Sequence, residues 1–231
     1  MHEVRTIERA ILVSLETGDE EEDRSSIQEL KELASTAGAE VIGEFAQRRQ
    51  KPDRGYYLGQ GKAEELFAEI KAQDADLVIV NDDLTPTQQR NLESVEGVRV
   101  IDRTQLILDI FAQRAHSSEG KLQVELAQLK YLLPRITSLY TQFERQQGGI
   151  GIRGPGETKL EADRRRIVKR VKDLTDELED VRQRRHVQKH GRERLPFPTA
   201  ALVGYTSAGK STLLNTLSGS QVLVDRKLFA T

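Results

Sequence analysis

The sequence has no cysteine and no tryptophan, a single methionine, and only 5% aromatic residues. Without cysteine there are neither disulfides nor thiolate metal ligands, which fits a reducing cytosol. No run approaches the roughly 20 apolar residues that a membrane span needs. At the N-terminus Ile11-Leu12-Val13 is too short for a secretory core, and Glu3 and Glu8 flank it. What is present is charge: 31% of 231 residues, against 37% hydrophobic. Those values describe a soluble, helix-leaning chain of one or two domains.

The net charge of −2 conceals an asymmetry. Residues 1–110 carry 13 Lys and Arg against 24 Asp and Glu, whereas residues 111–231 carry 22 against 13. Within the second half, 151–194 alone holds 14 against 9. Half the chain repels polyanions and half is suited to bind one.

One motif stands above the rest. Gly204-Tyr205-Thr206-Ser207-Ala208-Gly209-Lys210-Ser211 is a full match to G-x-x-x-x-G-K-[ST], the phosphate-binding loop. The apolar stretch 199–203 before it is expected to be a strand, and Leu213, Leu214 and Leu217 after it fall at helical spacing. Glycine at 204 and 209 lets the backbone approach an anion closely. Successive N–H groups at a helix N-terminus then face the phosphate oxygens. Lys210 is expected to reach the β- and γ-phosphates, with the Ser211 hydroxyl on Mg²⁺ and Thr212 completing the nucleotide contacts.

Residues 1–110 read as strands alternating with helices, hence a parallel-rich α/β domain. Strand candidates are 10–15, 40–45, 77–80 and 98–101. The acidic stretch from Asp19 to Asp23 reads as a solvated helix start, and Gly38 as a C-terminal helix cap. Residues 55–62 read as a turn feeding a helix over 63–72. Asp82 and Asp83 sit just past a buried strand, where catalytic carboxylates are often found. They also lead into Thr85-Pro86-Thr87-Gln88, a capping box with proline at the first helical position, and that reading is preferred.

Residues 111–194 read as a helical hairpin. Leu122, Leu126, Leu129, Leu133, Ile136, Tyr140 and Phe143 are spaced alternately four and three apart, a coiled-coil seam. Pro134 inside it predicts a kink. Leu160, Ile167, Val171, Leu174, Leu178 and Val181 form a second seam, so the two helices are expected to pack antiparallel. Arg164, Arg165, Arg166, Lys169 and Arg170 load the outer face, for which a solvated surface is the bland alternative. Between the helices, five glycines fall within 148–156. Gly149, Gly151 and Gly154 spell G-x-G-x-x-G, but a dinucleotide fold needs a strand before that motif and a helix precedes it here. Close approach to RNA, with Arg153 and Lys159 on phosphates, is one reason for such a tip, and a loose spacer is the other. His186 and His190 stand one turn apart without a third metal ligand, and read as part of the basic helix end. Residues 191–198 read as a linker into a P-loop domain that starts at 195.

Val100-Ile101-Asp102-Arg103-Thr104-Gln105-Leu106-Ile107-Leu108-Asp109-Ile110-Phe111, followed by the segment from Gly149 to Glu161, resembles the HflX GTPases. The P-loop and the closing Leu228-Phe229-Ala230-Thr231 fit that resemblance, which covers essentially the whole chain. The resemblance implies a GTPase of the cytoplasm, monomeric, that binds the large ribosomal subunit and splits ribosomes when loaded with GTP. It implies Mg²⁺ held by Ser211 and Thr231. It also implies a hairpin tip that enters the ribosome, with Gly149, Gly151, Arg153, Gly154, Gly156, Lys159, Arg164, Arg165 and Arg166 against rRNA. The family's switch and guanine-reading segments do not occur in this sequence, so hydrolysis is expected to need parts beyond Thr231. The alternative is a non-enzymatic ribosome- or RNA-binding module with an incomplete nucleotide site.

Overall fold

The computed structural model describes residues 7–94, 97–146, 155–193, 200–204 and 208–220. It divides into two compact units, Met1–Ile110 and Phe111–Thr231.

The first unit is built on strand β1 (Arg9–Glu16). Six consecutive residues, Ala10 to Leu15, are buried, as expected of a strand covered on both faces of a parallel sheet. Helix α1 (Glu20–Ala37) follows, then β2 (Glu40–Arg48), α2 (Gln60–Gln73), β3 (Leu77–Val80), α3 (Pro86–Leu92), β4 (Arg99–Asp102) and α4 (Arg103–Arg114). The four strands are all parallel, in the order β2-β1-β3-β4. The order reverses between β1 and β3, so in this class of sheet the crevice lies beyond their carboxyl ends. Ile11, Val13, Leu58, Leu66, Ile70, Val78, Val80 and Val100 form the core on the α2 side.

Local signals account for the helix limits. The Asp19 side chain accepts from the amides of Glu21 and Glu22 and caps α1. Gly38 closes that helix at φ 93°, a left-handed conformation that favours glycine. Thr85 and Gln88 form the reciprocal capping box of α3. Asp102, fully buried, accepts from the amides of Gln105 and Leu84 and so joins the start of α4 to the end of β3.

At the carboxyl edge of the sheet the chain supplies its own ligands. The Asp23 carboxylate accepts from the amides of Thr17 and Gly18 and from the Thr17 hydroxyl. These bonds, the Thr17 amide first, hold its pKa below the usual carboxylate range. Tyr57, at φ 67° and fully buried, places its phenol between the Leu15 amide and the Asp82 carboxylate. Asp83 accepts from the Thr104 hydroxyl at 2.5 Å. Both aspartates that follow β3 are therefore engaged in holding the edge together.

The second unit holds two long helices, α5 (Ser118–Gln146) and α6 (Pro155–Glu193). Arg170 of α6 donates to both oxygens of Glu125 of α5, at 2.7 and 2.9 Å. Arg185, further along α6, pairs with Glu119, earlier along α5, so the helices run in opposite directions. On α6 Leu174 and Leu178 are buried, and Ile167, Val171 and Val181 are half-buried. On α5 Leu122, Leu126, Leu129, Leu133 and Ile136 are half-buried; the side chains of Tyr140, Phe143 and Leu160 lie outside those described. The helix runs unbroken through Pro134.

Three sequence expectations are corrected. Pro155 and Gly156, placed in the glycine-rich tip, open α6, because proline fits the first turn, where its missing N–H removes no helical bond. Gly191 to Glu193, placed in the linker, continue α6; one glycine costs a helix only about 1 kcal/mol. Residues 200–204, expected to include a strand, form no regular element. A strand is made by its ladder partner, and among the described residues this segment pairs with none.

Candidate nucleotide-binding loop and basic helix

The phosphate-loop motif ends where α7 (Lys210–Ser218) begins. Gly209 precedes the helix at φ 80° and ψ 13°, and no side chain caps it. The first intrahelical bond runs from the Leu213 amide to the Gly209 carbonyl at 2.9 Å. The amides of the first turn thus point along the axis with no helical partner, the arrangement that receives an anion. Gly204 lies close by. A Cβ built on it would stand 3.8 Å from Cδ of Lys210 and 3.9 Å from Cβ of Ala208. The lysine stem therefore folds back over the first glycine of the motif, and the two ends of the loop come together. Gly204, Ala208, Gly209, Lys210, Ser211 and Thr212 are gathered at one helix end, while Tyr205, Thr206, Ser207 and Thr231 lie outside the described residues.

Ser211 is the second residue of α7 and half-buried. Its hydroxyl is a hard oxygen donor beside the amides that would face phosphate. Among the described residues no group of three or more His, Cys, Asp or Glu side chains could hold a metal ion. That donor set fits Mg²⁺ as it is usually held beside phosphates, by one or two protein oxygens with phosphate oxygens and water supplying the rest.

Leu213 and Leu214, 47% and 41% exposed, and Leu217, 73% exposed, give α7 an open apolar side, and Val203 is 92% exposed. The rear of the helix is held by the chain itself: the Ser218 hydroxyl donates to the Leu214 carbonyl, and Gly219 caps at φ 65°.

The basic residues of α6 divide into two kinds. Arg165 pairs with Glu161, Arg166 with Asp163 and Arg182 with Glu179, all within the helix. Arg170 crosses to Glu125. Arg164, Lys169 and Lys172 are exposed. Gly149, Gly151, Arg153 and Gly154 lie outside the described residues, and Gly156 and Lys159 are placed in the first turns of α6. Sequence reasoning missed the Tyr57–Asp82 link and the contact of Arg103 with Asn81 at 3.0 Å. Neither has a sequence signal, since the partners are 25 and 22 residues apart.

Three family models match successive parts of the chain. They are described as GTP-binding GTPase N-terminal over residues 24–112, GTP-binding GTPase Middle Region over 114–192, and 50S ribosome-binding GTPase over 199–231. An α/β unit, a long-helix region and a P-loop segment in this order are the parts that these models describe for GTP-binding GTPases. The GTPase HflX of Caldanaerobacter subterraneus subsp. tengcongensis is 56% identical over 227 residues, covering 98% of this chain and 53% of its own length. That of Escherichia coli K12 is 46% identical, covering 97% of this chain and 52% of its own. The chain belongs to the HflX GTPase family. It spans about half the length of the curated relatives it matches. A GTP-binding protein from Sulfolobus solfataricus, solved with GDP, shares the fold at TM-score 0.55 and 24% identity, over 92% of this chain and 54% of that one. Among the described residues no helix is long and apolar enough to cross a membrane.

Proposed function

We propose that this chain carries the nucleotide loop and the ribosome-engaging helices of a GTPase that binds the large ribosomal subunit and, loaded with GTP, separates ribosomes into subunits. The observation that carries the reading is the loop geometry at α7: left-handed Gly209, a helix start with no side-chain cap, and the Lys210 stem folded over Gly204. In this reading residues 204–212 hold the triphosphate. Lys210 lies against the β- and γ-phosphates, and Ser211, with Thr231, is on Mg²⁺. Residues 1–110 are the α/β domain, 111–194 the hairpin and 195–231 the start of the G domain. The opposed helices α5 and α6, with their half-buried seams, support an antiparallel coiled coil whose glycine-rich tip, with Arg153, Lys159 and Arg164 to Arg166, meets rRNA. The protein works as a monomer in the cytoplasm.

The test uses the whole protein. Co-sedimentation with purified large subunits is measured with GTP, with GDP, and for Lys210→Ala. The reading expects GTP-dependent pelleting that Lys210→Ala abolishes. Pelleting that ignores both nucleotide and Lys210 favours a non-enzymatic ribosome-binding module.

A further inference from the structure

Helix α5 has a second chemical side that the leucine seam does not use. At about 100° per residue, Tyr131 and Arg135 fall opposite Leu129, Leu133 and Ile136. The Arg135 guanidinium carbon stands 3.3 Å from the centre of the Tyr131 ring. Its Nη1 donates to the Tyr131 carbonyl at 3.0 Å. Pro134, one residue before, has no N–H, so this turn of the helix lacks one bond of its ladder. The arginine reaches back across that turn to lie over the ring, and both side chains are half-buried. Beside the pair, Lys130 is exposed and Leu132 is 42% exposed.

Charge sets this stretch apart. The chain has 37 acidic residues, yet none stands between Glu125 and Glu144. An anionic partner therefore meets no acidic side chain of α5 along that stretch, and on α6 Glu161 and Asp163 are paired with Arg165 and Arg166. A guanidinium layered on a phenol is a planar, cationic face, the kind on which unpaired bases stack. Because Tyr131 and Arg135 are already ordered, little side-chain freedom is lost on contact.

We propose that Tyr131 and Arg135 form a stacking platform for an unpaired RNA base, with Lys130 on the neighbouring phosphate. The platform rests on the RNA-binding reading above but belongs to α5 rather than to the tip or to α6.

The whole protein is titrated into fluorescein-labelled oligoadenylate and into an RNA duplex of the same length, at one fixed salt concentration, and anisotropy is read. Tyr131→Ala and Arg135→Lys are expected to weaken oligoadenylate binding about tenfold, the order of one base–aromatic stack, and to leave duplex binding within about twofold. Tyr131→Phe keeps the ring and is expected to bind as the parent does. Equal oligoadenylate affinity for the parent and Tyr131→Ala overturns the platform while leaving the α6 arginines as the RNA surface. An equal fall on both probes also overturns it, since that is the mark of a damaged helix. If the parent binds neither RNA, the RNA-binding reading fails and the platform with it.

Discussion

The phenol of Tyr57 donates to the Asp82 carboxylate and accepts from the Leu15 amide at 3.2 Å. One side chain, 25 residues before its acceptor, thereby ties the end of β1 to the loop after β3. Burial, with the Asp82 charge added, pushes the Tyr57 pKa far up, so the phenol stays protonated and keeps donating. Tyr57→Phe removes the donor and leaves a carboxylate and a buried amide without it. The expected loss is about 1–3 kcal/mol of stability, read as a lower urea midpoint at unchanged slope.

Asp23 makes the first unit sensitive to acid. Its folded pKa is depressed, so the stability it contributes is present above its unfolded value near 3.8 and is lost as pH falls through the folded value. Asp23→Asn is expected to be less stable than the parent at pH 7. The gap should narrow as pH drops below about 4. Thermal melts of both proteins across pH 2–7 check this, and a gap that widens in acid contradicts it.

Arg170 and Glu125 are each 43% exposed. The Arg170 bonds hold the Glu125 pKa down, yet solvent screens the pair. A double-mutant cycle with Glu125→Gln and Arg170→Gln is expected to give a small favourable coupling. Because the Debye length is about 3 Å at 1 M salt, the coupling should shrink there. The cycle is measured by denaturant unfolding at low and high NaCl.

Gly209 sits at φ 80°, where a Cβ costs roughly 1–2 kcal/mol. Nothing lies within 4 Å of a Cβ built there, so strain rather than collision is the cost. Gly209→Ala in the whole protein is expected to weaken GTP about 5- to 30-fold, the affinity equivalent of that strain. Titration with a fluorescent GTP analogue measures it.

Much of the first unit was legible because its signals are local. The apolar run 77–80 is β3, Gly38 ends α1, and Thr85 with Gln88 forms the box that opens α3. The crevice was not legible. Tyr57 in a left-handed conformation with Asp82 as its acceptor is a product of tertiary packing, and no residue spacing announces it. In the candidate site, the motif located Gly209 and Lys210 correctly at the head of a helix. The strand expected over 199–203 misled because a strand needs a partner that its own residues do not name. The opening of α6 was misread for the opposite reason. Gly156 looks like a loop residue, and the helix around it tolerates it.

Strand β1 is the middle of its sheet but the first strand to be synthesised. Its partner on one side begins at Glu40 and on the other at Leu77. A nascent chain emerging N-terminus first therefore exposes Ile11, Leu12 and Val13, with one backbone edge unpaired, until residues 77–80 have left the exit tunnel. At 5–20 residues per second that interval is a few seconds. During it the apolar strand is a template for wrong pairing. The acidic first turn of α1, Glu20 to Asp23, follows β1 after three residues, and charge close to an open strand edge is one of the devices that oppose such pairing.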